Sequence, residues 1–206
     1  MSLTFYFAPQ STASITTLVL EELGTPCERV KLDIQKAETK KPEFLKLNPN
    51  GLVPTLVHDG VAIWESGAIT IYLGETFGEK AKLWPAPGPK RGEAMKWVVW
   101  TNVSLGEPVY RWARNTMWAP EDERNAKAAA TASKDIASRL RVLDEALAGK
   151  QFLVGDYTLA DAHVNSFVDW LRHMKIDMTD FPNLNAWGKR CSERPAYAKV
   201  MARETA

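Results

Sequence analysis

Two stretches of the sequence carry residue types that could bind a small charged peptide. The first contains Val53-Pro54, a proline beside an apolar run where a strand should begin. Because proline has no N–H for a ladder hydrogen bond, a strand tolerates it at its first residue or at a bulge. An X–Pro bond also adopts the cis form at low cost, which forces a tight turn. Such a turn leaves the N–H and C=O of Val53 facing outward, able to pair with an extended peptide.

The second stretch is Glu65-Ser66, at a point where a helix should begin. Glu65 supplies a carboxylate for an ammonium group, whereas the helix N-terminus at Ser66 favours a carboxylate. The two stretches together predict a ligand that is a short peptide with both charges at one end.

Strands and helices are predicted to alternate in the first part of the chain. Strands are predicted over residues 3–7, 28–32, 55–57 and 61–64, and helices over 11–23, 42–45 and 66–77. The last two strands flank His58-Asp59-Gly60, which is a hairpin signal. This β-α-β-α-β-β-α order is typical of a thioredoxin-like domain, which we assign to residues 1–79.

A proline-rich stretch, Trp84-Pro85-Ala86-Pro87-Gly88-Pro89, predicts a linker over residues 80–90. The remainder, residues 91–206, is predicted to form an all-helical bundle. Its helices are predicted over 91–118 with a kink near Pro108, and over 121–148, 158–174, 182–192 and 195–202. The predicted fold class is therefore α/β plus all-α.

Composition excludes several classes of function. The net charge of +1 does not indicate binding to nucleic acid or to a polybasic membrane site. The apolar runs are too short to span a membrane, and the start of the chain lacks the charged region of a signal peptide. The histidines show no metal-ligand spacing, and Cys27 and Cys191 form no redox motif. We therefore expect a cytoplasmic protein without a metal.

Three segments together resemble the glutathione S-transferase family, and the resemblance covers the whole chain. They are the stretch from Asn48 to Ser66, the first-turn sequence Pro9-Gln10-Ser11-Thr12, and the capping box Thr158-Leu159-Ala160-Asp161. The resemblance implies a transferase that uses glutathione as co-substrate, acts in detoxification and forms a homodimer.

The resemblance also implies how glutathione binds. Val53 pairs its backbone with the cysteinyl unit, and Pro54 is cis and holds that edge open. Glu65 faces the γ-glutamyl ammonium group, and Ser66 contacts the γ-glutamyl carboxylate through its hydroxyl and N–H.

A lysine is implied near the glycyl carboxylate, because plant-type (phi) members carry one there. We assign that role to Lys40, with Lys41 as a neighbour that could substitute. Phi-type members usually have glutamine where this chain has Leu52, so one side-chain contact is lost and backbone contacts must carry the affinity.

A hydroxyl in the first turn is implied as the group that stabilises the glutathione thiolate. Phi-type members activate the thiol with the serine of a similar Pro-x-Ser-Thr stretch, which favours Ser11, whereas alignment with bacterial beta-type members favours Thr12. Tyr6 ranks third, since many members use a nearby tyrosine. Because no cysteine occupies this turn, we expect conjugation or peroxide chemistry rather than mixed disulfides.

The electrophile is expected between the two halves of the chain. The resemblance places its apolar pocket on the helix that contains Tyr110, Arg111, Trp112, Met117 and Trp118. The predicted function is conjugation of the glutathione thiolate to hydrophobic electrophiles. The alternatives are glutathione-dependent reduction of peroxides or disulfides, and a non-enzymatic interaction protein with the same architecture.

Overall fold

The computed structural model describes residues 2–204, with side chains up to residue 202. A four-stranded sheet forms in the order β2-β1-β3-β4. The strands are β1 (Leu3–Phe7), β2 (Glu28–Lys31), β3 (Thr55–His58) and β4 (Val61–Trp64). β1 pairs parallel to β2 and antiparallel to β3, and β3 pairs antiparallel to β4 through the predicted hairpin.

Nine α-helices accompany the sheet in the described residues. They are α1 (Ala13–Leu23), α2 (Pro42–Leu45), α3 (Ser66–Leu73), α4 (Pro89–Trp100), α5 (Gly106–Ala113), α6 (Ala126–Ala146), α7 (Leu159–His173), α8 (Pro182–Ser192) and α9 (Pro195–Glu204). The predicted combination of a thioredoxin-like first half and a helical second half is confirmed.

The two faces of the sheet are covered by different helices. In β1, Phe5 is fully buried, whereas the next residue, Tyr6, packs on Phe44 of α2, with 5.7 Å between ring centroids. Since neighbouring residues of a strand point to opposite faces, α2 lies on the other side of the sheet from the core that contains Phe5. α1 and α3 pack against each other and against α7.

Glu22 ties α1 to the helical half. Its carboxylate accepts a hydrogen bond from the Tyr157 hydroxyl at 2.9 Å and pairs with both Nε and Nη2 of Arg194 at 2.7 Å. Glu22 lies near the end of α1, and Tyr157 lies just before α7, so the two helices run antiparallel. The start of α1 and the second half of α7 therefore lie at the same end of the molecule.

The connection between the halves is anchored by Trp84. Its side chain is buried, and its Nε1 donates to Glu75 at 2.8 Å. The ring lies so close to Gly74 that a Cβ there would meet it at 2.5 Å, which is too close for any other residue type. The predicted helix over 66–77 ends as an α-helix at Leu73 and continues as a π-helical segment at Gly74–Gly78.

The interruption predicted near Pro108 takes the form of a π-helical segment, Thr101–Leu105, between α4 and α5. Pro108 cannot donate a backbone hydrogen bond, and its ring crowds the carbonyl four residues earlier, so the regular ladder cannot pass this point. The segment contains Asn102, whose contacts bear on the site described below.

Candidate active site

The turn from Asn48 to Pro54 is held by a buried amide. Asn48 Nδ2 donates to the carbonyl of Leu52 at 2.8 Å and to Thr55 Oγ1 at 3.0 Å, and its Oδ1 accepts from the N–H of Asn50 at 3.1 Å. The Val53–Pro54 peptide bond is cis. An asparagine side chain that hydrogen-bonds to the backbone two residues later commonly stabilises such a turn.

The backbone groups of Val53 differ in their hydrogen-bond partners. Its N–H has no partner within residues 2–204. Its carbonyl accepts one hydrogen bond, from Thr12 Oγ1 at 3.3 Å. A second lone pair remains on that carbonyl, so both backbone groups can pair with an extended ligand.

The first turn brings Ser11 and Thr12 to this edge, but their hydroxyls differ. Ser11 Oγ donates to the carbonyl of Ala8 at 2.7 Å and accepts from the N–H of Ala13 at 3.2 Å. α1 therefore begins two residues later than predicted, with Thr12 as its N-cap and with no side-chain bond from Thr12 to the helix. Gln10, just before this pair, has a left-handed backbone with φ 54°, a strained state that often occurs at functional sites.

Tyr6 lies away from these hydroxyls. Its side chain lines a cleft of about 340 Å³ between β2 and α2, where its ring packs on that of Phe44. Within residues 2–204, no hydrogen bond joins the hydroxyl of Tyr6 to Ser11 or Thr12.

Glu65 and Ser66 lie at the start of α3. Glu65 is exposed and has φ 71°, a strained conformation for a residue with a Cβ. Ser66 is buried, and its Oγ accepts a hydrogen bond from Asn102 Nδ2 at 2.9 Å. An exposed carboxylate and a helix N-terminus thus stand side by side.

The structure distinguishes between Lys40 and Lys41. Lys40 Nζ donates to the carbonyl of Gly51 at 2.9 Å and to that of Asn50 at 3.2 Å, so it lies on the turn that presents Val53. Gly51 has φ +61°, and a Cβ there would meet Lys40 Nζ at 2.7 Å. Lys41 instead pairs with Glu38 at 3.2 Å.

Replacement of Lys40 by methionine is expected to weaken binding of glutathione about ten-fold, because the role predicted for Lys40 is a charge-assisted hydrogen bond to the glycyl carboxylate. Lys41→Met removes the same charge from the neighbouring position and should change the dissociation constant less than about two-fold, since an exposed ion pair contributes little. Isothermal titration calorimetry of both variants measures the difference. Equal weakening in the two variants would contradict the assignment to Lys40.

An aromatic cluster faces solvent beyond the first turn. The rings of Tyr110 and Trp118 meet edge to face at 5.4 Å, and Trp118 stacks on Trp170 of α7 at 5.9 Å. Trp170 lies in the second half of α7, at the same end of the molecule as Ser11 and Thr12. The cluster therefore lies in the helical half, toward the end of the molecule at which α1 begins.

The other predicted pocket residues have different surroundings. Arg111 pairs with Glu107 at 2.9 Å and with Asp135 of α6 at 2.6 Å, and these bonds raise the pKa of its guanidinium. Its charge is therefore engaged away from the aromatic cluster. Trp112 is half-buried against the core, whereas Met117 is exposed.

Comparison with known proteins identifies the family. Residues 1–75 match the model of the glutathione S-transferase N-terminal domain, and residues 104–195 match that of the C-terminal domain. Glutathione S-transferase GstB of Escherichia coli strain K12 is 33% identical over 187 residues, which cover 89% of this chain and 89% of that protein. The chain belongs to the glutathione S-transferase family of enzymes.

Solved structures of other glutathione S-transferases have the same fold as this chain. The transferase URE2P6 of Phanerochaete chrysosporium, in complex with oxidized glutathione, has a TM-score of 0.90 at 31% identity, covering 99% of this chain and 96% of that one. A transferase homologue of Lodderomyces elongisporus with two glutathione molecules per subunit has a TM-score of 0.89 at 26% identity, covering 98% and 99%.

Several residues of this transferase site were not predicted from the sequence. Asn102 and Trp170 contact Ser66 and Trp118, which were predicted, whereas Asn48 holds the turn that contains Val53 through its bond to the carbonyl of Leu52. Asn48 had a local signal, because an asparagine before Pro49-Asn50-Gly51 is typical of a side-chain-bonded turn. The other two lie in helices, where no local pattern distinguishes them from packing residues. No helix in the described part of the chain is long and apolar enough to cross a membrane.

Proposed function

We propose that the protein binds glutathione at the edge formed by Val53, Pro54, Glu65 and Ser66 and transfers its thiolate to hydrophobic electrophiles. Lys40 takes the glycyl carboxylate. Glu65 takes the γ-glutamyl ammonium group, and the start of α3 takes the γ-glutamyl carboxylate. The aromatic wall of Tyr110, Trp118 and Trp170 receives the electrophile.

The contact between Thr12 and Val53 carries this proposal. A cysteinyl unit paired with the backbone of Val53 has its sulfur within reach of a group that already touches the Val53 carbonyl. Thr12 Oγ1 is that group, and its bond of 3.3 Å is longer than the 2.7 Å bond in which Ser11 donates its one hydroxyl hydrogen. The hydrogen of Thr12 is therefore the easier one to redirect to a thiolate, so we assign thiol activation to Thr12.

One redirected hydroxyl is enough to populate the thiolate. A hydrogen bond to a charged group contributes about 1.5–3 kcal/mol, and the N-terminus of α1 adds about 0.3–1 kcal/mol. At 1.36 kcal/mol for each unit of pKa, these effects lower a thiol pKa of ~8.5 to about 6–7. About half or more of the bound glutathione is then thiolate at neutral pH, and no general base is needed.

Conjugation then proceeds by direct displacement. The thiolate sulfur forms a bond to an electrophilic carbon, and the leaving group departs with the electron pair of the bond that breaks. The thiol proton has already left to solvent. The aromatic wall excludes water from the carbon and holds it near the sulfur.

Glutathione-dependent disulfide or peroxide reduction is a second candidate. The related structures that contain oxidized glutathione or two glutathione molecules per subunit support it, because both chemistries join two glutathione units through their sulfurs. In that case, the thiolate attacks a disulfide sulfur and displaces a thiolate, or attacks a peroxide oxygen, which breaks the O–O bond and releases an alkoxide that takes up a proton. The products are a mixed disulfide and a sulfenic acid, respectively. A second glutathione thiolate then attacks the glutathione sulfur, forms oxidized glutathione and displaces a thiolate or hydroxide.

Steady-state rates on an aryl halide, a hydroperoxide and a glutathione mixed disulfide test both candidates. With the favoured substrate, Thr12→Ala is expected to lower kcat about ten-fold or more while glutathione binding changes less than about three-fold, since the bond acts mainly on the thiolate. Ser11→Ala, which removes a neighbouring hydroxyl committed to the backbone, is the matched control. A loss confined to Ser11→Ala would reassign the role to Ser11, and the substrate turned over fastest decides between the chemistries.

We also propose a cytoplasmic homodimer, as the family resemblance implies. Val99 and Val103 support the dimer because they lie one helical turn apart and expose 51% and 63% of their surface. Two exposed valines on one face are available for contact with a second copy. Both cysteines of the chain are free thiols, which supports a reducing compartment.

A further inference from the structure

A chain of hydrogen bonds connects Ser66 to the interior of the helical half. Asn102 Nδ2 lies 2.9 Å from Ser66 Oγ, and Asn102 Oδ1 lies 2.6 Å from His163 Nε2. His163 Nδ1 lies 2.9 Å from Thr70 Oγ1. The four residues come from α3, the π-helical segment and α7, so the network joins both halves of the protein behind the proposed γ-glutamyl site.

The direction of these bonds follows from Thr70. Its side chain is fully buried, and within residues 2–204 its hydroxyl has a polar contact only with His163. A buried hydroxyl hydrogen without an acceptor is costly, so Thr70 donates to Nδ1 of His163. Nδ1 is then unprotonated, and in a neutral ring the proton must lie on Nε2.

The tautomer of His163 fixes the orientation of Asn102. Because Nε2–H is a donor, Asn102 must present its carbonyl oxygen to it, and its NH₂ group then faces Ser66. Ser66 Oγ accepts from that NH₂ group, so the hydrogen of Ser66 is left free to donate. No group within residues 2–204 accepts that hydrogen, so it is available to a ligand at the start of α3.

His163 holds this orientation over a wide pH range. The ring is completely buried, and burial lowers the pKa of His163 from 6.5 to about 3. Since the imidazole is neutral above that value, it has one donor and one acceptor nitrogen at any pH where the enzyme would work. A protonated ring would instead donate to Thr70 and remove the basis of the arrangement.

We propose that Asn102 and His163 are positioning residues that hold the Ser66 hydroxyl as a donor to the γ-glutamyl carboxylate of glutathione. The inference rests on the proposed glutathione site and adds the reason why Ser66 acts there as a donor. Without the network, the hydroxyl could turn inward and would be as ready to accept as to donate.

The variant Asn102→Asp tests the proposal because it keeps the shape of the side chain and reverses the direction of its hydrogen bond with Ser66. A carboxylate accepts from both His163 and Ser66, so the Ser66 hydrogen turns inward and is lost to the ligand. Calorimetry is expected to show glutathione binding weakened about ten-fold or more, as for loss of a hydrogen bond to a charged group. The KM for glutathione should rise accordingly, with kcat at saturation changed only slightly.

A modified ligand separates this role from a general structural effect. The analogue in which the γ-glutamyl α-carboxylate is replaced by hydrogen has nothing for Ser66 to bind. Asn102→Asp should bind this analogue no more weakly than the unmodified protein does. Asn125→Asp is the matched control: it adds the same charge at the N-cap of α6, where aspartate caps as well as asparagine, and should bind glutathione normally.

His163 variants complete the test. His163→Gln can accept from Thr70 with its oxygen and donate to Asn102 with its nitrogen, so glutathione affinity should be retained. His163→Leu removes both bonds and should lose it about ten-fold. Thermal unfolding checks that each variant is folded. If the variants of the buried His163 do not fold, Asn102→Asp still tests the proposal on its own.

Two results would overturn the proposal. The first is unchanged glutathione binding by Asn102→Asp, and the second is equal weakening for glutathione and the analogue. Absence of glutathione binding by the unmodified protein would overturn the proposed function, and this inference with it. Failure of the inference alone is therefore recognised by normal glutathione binding in the unmodified protein.

Discussion

Asp161→Ala is expected to lower the free energy of unfolding by about 3–5 kcal/mol, because it leaves several buried donors without an acceptor. Asp161 is fully buried. Its Oδ1 accepts from the N–H of Leu153 and from Trp187 Nε1, both at 2.9 Å. Its Oδ2 accepts from the N–H of Thr158 at 2.9 Å and from the Thr158 hydroxyl at 3.0 Å.

Urea denaturation followed by tryptophan fluorescence measures this loss. Asp156→Ala is the control, since Asp156 lies five residues earlier and is exposed, with one ion pair to Lys90 at 3.3 Å. An exposed pair contributes about 1 kcal/mol or less. Similar unfolding midpoints for the two variants would show that the buried carboxylate does not hold the segment together.

Part of this arrangement could be predicted from the sequence. Thr158 and Asp161 stand at the spacing of a capping box, and the structure has both of its bonds at the start of α7. The bonds from Leu153 and Trp187 could not be predicted. Trp187 lies on α8, 26 residues away, and only the packing of α7 and α8 brings its ring to the carboxylate.

The positions at which helices begin show a second limit of prediction from the sequence. The periodic pattern predicted a helix from Glu121, but α6 begins at Ala126 because Asn125 accepts from the N–H of Ala128 and caps it there. Residues Glu121–Glu123 form a separate 3₁₀ turn. A pattern of apolar residues predicts which face of a helix is buried, whereas the local competition between side-chain and backbone hydrogen bonds decides where the helix begins.

The candidate site also has some features that local sequence signals predict and others that they do not. The stretch from Val53 to Ser66 is contiguous, so its turn, hairpin and helix start were visible as local signals. Lys40 was assigned from the family resemblance rather than from a local signal, and only the structure shows that its ammonium group lies on the carbonyl of Gly51. The bond from Asn102 to Ser66 spans 36 residues and crosses between the halves of the chain, so no local pattern indicates it.

Glu65→Gln is expected to weaken glutathione binding about ten- to hundred-fold, because a neutral amide replaces the carboxylate that we propose faces the γ-glutamyl ammonium group. Glutamine has the same length and also carries a Cβ, so the strained backbone at φ 71° is common to both proteins. The comparison therefore isolates the charge from the conformation of the turn.

Calorimetry with glutathione measures the effect, and Glu43→Gln provides the same change of charge at an exposed position on α2. The difference in affinity between the unmodified protein and Glu65→Gln should become smaller as salt is raised. Screening weakens the ion pair in the unmodified protein, whereas Glu65→Gln has no such pair. Equal affinities for the two variants would mean that Glu65 does not contact the ammonium group. The strained backbone at Glu65 would then serve to present the N–H groups of α3 to the carboxylate, a role that any residue able to adopt φ 71° could fill.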